Sequence, residues 1–503
     1  MPSVFIGDFH ELFNKIKKDE ERQEGLNKIK NALALNSREA ARSIKEFGLS
    51  KIINCFSYEN DEQDTMVCDI LKSCFQNYPP GEVLFSHMPH IMYMLRHFLP
   101  SVRLVAVEEV AKAVMSDETI LPTENFKDMF VAVAHLVADA DISISSKAVQ
   151  VTSNLPTEIY SQILEEMIIC TEVDASARCN VFEVIVNISI KSEELLKLSV
   201  EHGYLQYMMK ELKSHDVLYV MNILELLSTL TVAPYGIKYL VECGALTQIS
   251  KFIADIEPDS VLHLLIPGYM KFFGCIAHMY PKEVFDNYPV LLESLFKVLQ
   301  TKDESVLPIA LETLGFIGTT VEGKLCLAAL GSEYITAVET VGNLIKTGTT
   351  DIKIKALNCL TSLIACDKDP CVITNGIVDH RVTLMTREWF RSLNTHPPSM
   401  EILQDICKNP FTDIRMAAFA LLDAACQHHW AEELVAQSPG FIEYLLDRTV
   451  DYTKESKEAK YQVIKKLSKS CAFDPNIIMR LKNYVEEGPF FTEANLEVMM
   501  EEE

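Results

Sequence analysis

Residues that break helices are scarce in this chain, which has only 18 glycines and 20 prolines among 503 residues. The segments between them place apolar residues three and four positions apart, and we find no convincing strand with alternating polarity. One such face comprises Leu291, Leu292, Leu295, Phe296 and Leu299. This spacing is typical of amphipathic helices that bury one stripe against a neighbour. The sequence therefore predicts an all-α fold.

Long apolar runs and paired cysteines are missing as well. No uninterrupted apolar stretch approaches the roughly 20 residues that a membrane-spanning helix needs, and residues 1–19 lack a basic segment followed by an apolar run. The 14 cysteines are scattered singly, without CxxC pairs. We therefore expect reduced thiols, no membrane partner and a cytoplasmic protein, with the nucleus as a second compartment.

Positive charge is also in short supply, because 46 Lys and Arg stand against 71 Asp and Glu, for a net charge of −25. Such a surplus repels phosphate backbones and anionic lipid headgroups, which argues against nucleic acid and membrane surfaces as partners. A basic protein surface is the better candidate partner. The alternative is that the acidic surface serves solubility alone.

A helix start recurs along the chain: a branched apolar residue follows a polar one, and a small residue lies four positions later. The pattern occurs at Val102 with Ala106, Val306 with Ala310, Ile352 with Ala356 and Ile414 with Ala418, and looser copies begin at Ile142, Ala175, Val217 and Val261. Successive starts from Val217 to Ile352 lie 44–46 residues apart. That period is typical of HEAT and armadillo repeats, so we predict an α-solenoid of stacked helical pairs.

The array is predicted as one domain over residues 1–492. Prolines and polar residues cluster near 366–379 and 394–399, where the interval between repeat starts lengthens, so we expect longer loops there. The acidic segment 493–503 is expected to be a disordered tail.

Motifs for catalysis, cofactors or metals fail on chemical grounds. Residues 318–324 match GxxxxGK, but Leu325 stands where a Ser or Thr would ligate magnesium. We expect instead a turn in which Gly318 and Gly323 adopt positive φ. The histidine groups, His87 with His90 and His97, and His428 with His429, lack the ligand set of a zinc site. We therefore predict no enzyme, no cofactor and no metal.

Acidic residues recur about two turns after several helix starts. They are Glu108, Glu109, Glu183, Glu225 and Glu312. In HEAT-like arrays the second helix of each pair lines the inner curve, so these side chains predict an acidic ladder on a concave, partner-binding surface. The alternative is that each is an ordinary solvated position. Later basic residues, including Lys355 and Arg415, predict that the acidic character fades toward the C-terminal half.

Several segments in the second half of the chain resemble a known family. They are residues 267–274 (PGYMKFFG), 313–324 (TLGFIGTTVEGK), 388–393 (EWFRSL), 438–444 (SPGFIEY), 457–461 (KEAKY) and 487–490 (EGPF). In this order and spacing they resemble the 26S proteasome non-ATPase regulatory subunit 5 family. Before residue 267 the resemblance rests on repeat architecture and length.

The resemblance implies an assembly chaperone of the proteasome regulatory particle. Such a protein binds the C-terminal domains of base ATPase subunits and leaves before the mature complex forms; a large non-ATPase base subunit is a further candidate partner. The alternative is an armadillo-type transport or trafficking scaffold for peptide segments. Scaffolds of that type repeat Trp and Asn on their inner helices, whereas this chain has two tryptophans.

Overall fold

The computed structural model describes residues 3–492, apart from 36, 58–59, 117–122, 256–263, 302, 367–372, 375–376, 379 and 394–397. Within these residues the chain forms thirty α-helices, three short 3-10 helices and one two-stranded hairpin, which confirms the predicted all-α class. It divides into two compact units, Met1–Gly236 and Ile237–Glu503. The single array over residues 1–492 stays a prediction. The predicted tail, 493–503, lies outside the described residues.

Fifteen α-helices begin in the first unit. They are α1 (Ser3–Lys15), α2 (Asp19–Leu35), α3 (Ser37–Phe47), α4 (Leu49–Ile53), α5 (Asp61–Phe75), α6 (Glu82–Leu95), α7 (Pro100–Val114), α8 (Thr123–His135), α9 (Ile142–Ser153), α10 (Tyr160–Met167), α11 (Ala175–Ser189), α12 (Glu193–Glu201), α13 (Tyr204–Glu211), α14 (Val217–Leu230) and α15 (Pro234–Glu242). The 3-10 helices are Leu136–Ala138, Thr157–Ile159 and Ile168–Glu172.

The second unit contains the remaining elements. They are α16 (Ala245–Asp255), α17 (Ile266–Met279), α18 (Pro281–Asn287), α19 (Pro289–Leu299), α20 (Leu307–Ile317), α21 (Val321–Ala329), α22 (Ser332–Thr347), α23 (Thr350–Ile364), β1 (Ile373–Thr374), β2 (Ile377–Val378), α24 (His380–Arg391), α25 (Ser399–Cys407), α26 (Thr412–Ala425), α27 (His429–Gln437), α28 (Phe441–Leu446), α29 (Lys454–Leu467) and α30 (Pro475–Glu487).

One row of helices in each unit packs side by side, and we call its members the stacked helices. In the first unit they are α2, α5, α7, α9, α11 and α14, and in the second they are α17, α20, α23, α26 and α29. Further rows accompany them: α18, α21, α24 and α27 pack in succession, as do α16, α19 and α22. A repeat of the second unit therefore contains three helices, as in armadillo proteins.

The predicted helix starts agree with the stacked helices. Ile142, Ala175 and Val217 are the first residues of α9, α11 and α14, and Val306 is the N-cap of α20. Val102, Ile352 and Ile414 are the third residues of α7, α23 and α26. Val261 lies outside the described residues, and the next stacked helix, α17, begins at Ile266.

The small residues of the start pattern allow close packing, and acidic residues before the helices act as caps. The four predicted small residues, Ala106, Ala310, Ala356 and Ala418, are fully buried, which allows neighbouring helices to approach closely. The carboxylates of Asp141, Asp174 and Asp216 accept hydrogen bonds from backbone amides in the first turns of α9, α11 and α14. Such N-caps satisfy amides that the helix itself leaves without partners.

Arginines at the fourth position of three stacked helices join one repeat to the next. Arg103 donates to the carbonyl oxygen of His97, in the loop before its own helix, and pairs with Asp139 at 2.6 and 2.9 Å. Arg178 donates to Thr171 and pairs with Glu211 at 2.9 Å. Since each arginine connects its own loop to an acid of the following repeat, we call these contacts the arginine ties.

The third tie lies in a buried ion-pair cluster of the second unit. The Asp451 carboxylate is 2.5 Å from Lys460 Nζ and 3.5 Å from Arg415 Nε, and the side chains of Asp451 and Lys460 are each 1% exposed. The contacts at Asp451 are charge attractions and lack hydrogen-bond geometry. Burial lowers the pKa of Lys460, although Asp451 and the Asp447 carbonyl oxygen, 2.6 Å away, favour its charged form. Arg415 is therefore an internal cation, and the expectation that it makes the C-terminal surface less acidic is wrong.

The loop predicted at 366–379 separates α23 from α24 and contains a short hairpin. Ile373 pairs with Val378 and Thr374 with Ile377 in antiparallel register, which corrects the prediction that no strand is present. An Asn-Gly pair stands between the strands in the sequence, a dipeptide favoured in hairpins. Most of this loop, and residues 394–397 of the other predicted loop, lie outside the described residues.

Among the described residues, no helix combines the length and the apolar character that crossing a bilayer requires.

Candidate partner-binding groove

The predicted acidic residues of the first unit share one helical position. Glu108, Glu183 and Glu225 are each the ninth residue of their stacked helices, α7, α11 and α14, and Gln150 is the ninth residue of α9. All four side chains are exposed. Because α7, α9, α11 and α14 pack in this order, these residues form one row, which we call the ninth-position row.

On this surface a groove of about 630 Å³ lies between α11 and α14. Its walls repeat the same three positions, because the sixth, ninth and thirteenth residues of both helices line it. These residues are Asn180, Glu183 and Asn187 on α11, and Asn222, Glu225 and Thr229 on α14. Positions three and four apart lie on one face of a helix, so each helix presents a continuous polar stripe to the groove.

Hydrogen-bond acceptors dominate the groove. The side-chain nitrogen of Asn180 donates to the Val137 carbonyl oxygen at 3.0 Å, and that of Asn187 donates to Ser153 Oγ at 3.4 Å. With these amide nitrogens engaged by the preceding repeat, the side-chain oxygens of both residues remain as acceptors beside the carboxylates of Glu183 and Glu225. A ligand that fits must bring donors, as the ammonium of Lys and the guanidinium of Arg do.

Glu183 is the groove residue best suited to bind a cation. Partial burial raises the pKa of its carboxyl, although solvent reaches part of the side chain. Within the described part of the chain, no Lys, Arg or His forms an ion pair with Glu183. A carboxylate that is partly removed from water and lacks a cation gains more from a bound cation than a fully solvated one does.

The other ladder residues differ from one another. Glu108 is exposed and lies 3.5 Å from Lys72 of the preceding stacked helix, and Glu312 of the second unit pairs with Lys355. Glu109 is 2% exposed. The structure therefore removes Glu109 from the predicted ladder, because its side chain points into the protein where a partner cannot reach it. The ladder across both units stays a prediction.

Burial gives Glu109 unusual protonation behaviour. Loss of hydration raises the pKa of its carboxyl to about 7, against the opposing attraction of Lys112. Lys112 Nζ lies 3.3 Å from the Glu109 carboxylate and also donates to the Phe75 carbonyl oxygen. The folded state therefore holds a proton on Glu109 that the unfolded chain releases near pH 4.5.

We expect Glu109→Gln to change the pH dependence of stability. Because the folded pKa is raised, the stability that Glu109 contributes is complete below the unfolded pKa and is lost as the pH rises through 7. Gln resembles the protonated acid, so the variant should be about 1–2 kcal/mol more stable than the unaltered chain at pH 8 and about equal to it at pH 4.5. Urea unfolding followed by circular dichroism at both pH values measures this. Glu108→Gln is the matched control and should shift neither value; an E109Q gain that is the same at both pH values would contradict the assignment.

The GxxxxGK segment is a helix junction. Gly318 follows the end of α20 with φ −78°, and Gly323 lies inside α21, so the predicted positive φ is wrong at both glycines. A Cβ at Gly318 would collide with Leu363, and one at Gly323 with the Ile317 carbonyl oxygen. Close packing is therefore the reason for these glycines.

Lys324, the lysine of that segment, is fully buried. Its ammonium donates to the carbonyl oxygens of Gly318 and Ser362, which lie at the C-terminal ends of α20 and α23. An ammonium in this position satisfies carbonyl groups that the helices leave open and opposes their negative ends.

The histidines and cysteines have structural surroundings. His97 is buried and its Nδ1 accepts from the Leu99 amide, while buried His428 bonds to the Ile364 carbonyl oxygen at 2.9 Å. His429 lies at the surface near Glu432. In the described ranges no three His, Cys, Asp or Glu side chains come together as a metal site would require, and the cysteines there are free thiols.

Sequence reasoning missed the amide members of the groove. Asn180, Asn187 and Asn222 precede or follow the glutamates at helical spacing, so a search along α11 and α14 for polar residues at i, i+3 and i+7 would have found them. Gln150 is uncharged, so a pattern of acidic residues alone does not include it.

Similarity to known proteins extends over nearly the whole length of this chain. The model of the family described as proteasome non-ATPase 26S subunit matches residues 7–503. The 26S proteasome non-ATPase regulatory subunit 5 of Homo sapiens is 27% identical over 484 residues, 94% of either chain. The Bos taurus protein of that name is 28% identical over 459 residues, 89% of either chain. The similarity therefore extends well before residue 267.

Solved structures confirm the class of fold. A crystal structure of a Kap121p mutant covers 92% of this chain with a TM-score of 0.60 at 14% identity, and the match spans 45% of that protein. A structure of Kap95p bound to RanGDP covers 93% of this chain with a TM-score of 0.56 at 11% identity, over 58% of that protein. Both likenesses support the HEAT/armadillo-like α-solenoid that the repeat spacing predicted.

Proposed function

The chain belongs to the proteasome non-ATPase 26S subunit family, and from this membership we propose that it is a chaperone for assembly of the proteasome regulatory particle. In this proposal it binds the C-terminal domains of base ATPase subunits and dissociates before the mature complex forms. A large non-ATPase base subunit is a further partner. The relatives are regulatory subunits by name, which supports a role without catalysis. The proposed compartment is the cytoplasm, with the nucleus as a second one.

The acceptor-rich groove between α11 and α14 is the observation that carries this proposal. It offers Glu183, an exposed side chain whose carboxyl is partly shielded from water, together with Glu225 and the oxygens of three asparagines. A basic ridge on an ATPase domain would bring cations to this groove. Charge complementarity of this kind raises the association rate and makes binding sensitive to salt.

A chaperone of this kind needs no energy source of its own. Binding stabilises the free ATPase subunit and covers a surface that the assembled ring requires. When the neighbouring subunits offer the stronger interface, the equilibrium shifts and the chaperone leaves.

The test is direct binding followed by capture from cells. Mixed with purified C-terminal domains of base ATPase subunits, the chain should form a complex at low salt that weakens as salt rises. Affinity capture at low salt should recover base ATPases without core-particle subunits. Recovery of core-particle subunits in equal amount, or no binding to any ATPase domain, would overturn the proposal.

A second candidate, a scaffold for peptide segments, is favoured by the three asparagines. The side-chain oxygens of asparagines can accept hydrogen bonds from the N–H groups of an extended main chain, and Asn180 and Asn222 occupy the same position of α11 and α14. The same binding assay separates the two candidates. Preference for unstructured basic peptides over folded ATPase domains would favour the scaffold.

A further inference from the structure

Large apolar side chains are exposed at one repeated position, the N-terminal end of the stacked helices. In the first unit they are Phe98, Ile142, Val173 and Leu218, which are 51%, 79%, 59% and 74% exposed. Each lies within two residues of the start of α7, α9, α11 or α14. We call these four side chains the edge row. The position is used again in the second unit, where Leu264, Phe411 and Tyr452 lie before α17, α26 and α29 and are at least 61% exposed.

The edge row lies along a single side of the first unit because its stacked helices run in the same direction. Near their N-terminal ends, Arg178 of α11 lies 3.5 Å from the Tyr219 hydroxyl of α14. At the opposite ends, Lys191, just after α11, donates to the carbonyl oxygen of Ser153, the last residue of α9. Because the starts of neighbouring helices contact each other and their ends contact each other, successive N-termini lie at the same edge.

These side chains are not needed for the hydrophobic core. The adjacent positions Val102, Ile144 and Val220 are fully buried and fill it. Single exposed apolar residues are common on protein surfaces, but large apolar side chains exposed at the N-terminal ends of four consecutive stacked helices are a repeated feature of the kind that marks interaction sites.

The surroundings of the edge row are acidic. Asp141, Asp174 and Asp216 lie within two residues of Ile142, Val173 or Leu218 in the sequence, while Asp139 is already paired with Arg103. No Lys or Arg lies within three positions of Ile142, Val173 or Leu218 in the sequence. Arg103 and Arg178 are engaged in the arginine ties, and Arg96, two residues before Phe98, is exposed. A partner that covers the apolar side chains should therefore carry Lys or Arg beside its own apolar residues.

We propose that the edge row docks an amphipathic α-helix of a partner protein, with apolar residues at every seventh position and basic residues on the flanks. Packed helices lie about 8–10 Å apart, which sets the spacing from one edge-row side chain to the next. In an α-helix that crosses the stack, residues seven positions apart are separated by about 10.5 Å. In a β-strand, residues on one face recur at about 6.8 Å, which does not match.

This docking surface is independent of the proposed chaperone function. The groove selects cations through the sixth, ninth and thirteenth positions of α11 and α14, whereas the edge row presents apolar side chains at the helix starts. The two surfaces therefore respond to different substitutions.

The test uses the full chain and synthetic helical peptides of about 28 residues, or four heptads. One peptide carries Leu at every seventh position with Lys on the flanks; a second has the same composition in scrambled order; a third has Glu in place of Lys. Fluorescence anisotropy should show that the first peptide binds at least about tenfold more tightly than either of the others, because it alone matches both spacing and charge.

Matched variants locate the site. The double substitution I142S/L218S should weaken binding of the first peptide about tenfold or more, because two apolar contacts are lost. Val232→Ser removes a side chain that is 65% exposed at the opposite end of α14 and should leave binding unchanged. The groove variant E183Q/E225Q should also bind the peptide within about twofold of the unaltered chain, so a failed chaperone test and a failed docking test can be told apart.

Three results would overturn the inference. They are equal binding of the ordered and scrambled peptides, unchanged binding by I142S/L218S, and a dimer of the unaltered chain that I142S/L218S converts to a monomer in sedimentation. The last would identify a second copy of this chain as the occupant of the edge row.

Discussion

Replacing Asp451 by Asn is expected to destabilise the second unit by about 3–5 kcal/mol, because two buried cations then lose the carboxylate with which they pair. Lys460 and Arg415 both lie within 3.5 Å of Asp451, and the pKa of Lys460 is already lowered by burial. Asn keeps the size of the side chain and removes only its charge. Packing therefore changes little, and the measured loss reports the uncompensated cations.

Tryptophan fluorescence during urea unfolding measures this effect in the second unit alone. The chain has two tryptophans, Trp389 and Trp430, which are both buried in that unit. Glu443→Gln is the matched control, because its partner Arg480 is 50% exposed and exposed pairs contribute about 1 kcal/mol or less. A loss of stability for D451N no greater than that for E443Q would show that the buried cluster stabilises the unit no more than an exposed ion pair does.

Reversing the charge of both groove glutamates is expected to weaken ATPase binding about 100-fold or more in the double variant E183K/E225K. The substitution replaces two acceptors by two cations that repel a basic partner, and unpaired charges at the centre of an interface cost several kcal/mol in total. Titration calorimetry with the ATPase C-terminal domain that binds most tightly measures the loss.

A second double variant controls for the change in net charge. Glu194 and Glu201 are exposed residues of α12, outside the groove, and E194K/E201K changes the net charge by the same amount. Its affinity should fall by less than about threefold, since a remote surface charge acts through screened attraction. Equal losses in the two variants would mean that the groove has no specific role.

The repeat architecture was predictable from the sequence because the signal is local. The residues at a helix start determine capping and close packing within one turn, so Asp141, Asp174 and Asp216 could be identified as caps without knowledge of any neighbour. The same reasoning correctly placed the starts of α9, α11 and α14.

The candidate site was only partly predictable because exposure depends on the neighbouring repeat. Glu108 and Glu109 are adjacent in the sequence, and their spacing from the helix start does not reveal which one faces solvent. The structure separates them by one hundred degrees of helical rotation, which leaves Glu108 at the surface and buries Glu109 beside Lys112.

The role of a charged residue could not be predicted from the sequence where its partner lies in another part of the chain. In the sequence Arg415 reads as a surface cation and Lys324 as part of a motif. The structure pairs Arg415 with Asp451, and the Lys324 ammonium with carbonyl oxygens at the ends of two helices. Only the packing of the repeats brings them together.

The arginine ties constrain how a chain of this kind can change in length. Arg103 reaches an acid 36 residues later, and Arg178 one 33 residues later. Deleting a single helix between such partners would leave a charge without its counter-ion, whereas deleting a whole repeat would remove a donor and an acceptor together. The ties therefore favour changes in length by complete repeats. Insertions of any size are tolerated best in loops such as 366–379, which no arginine tie crosses in the described residues.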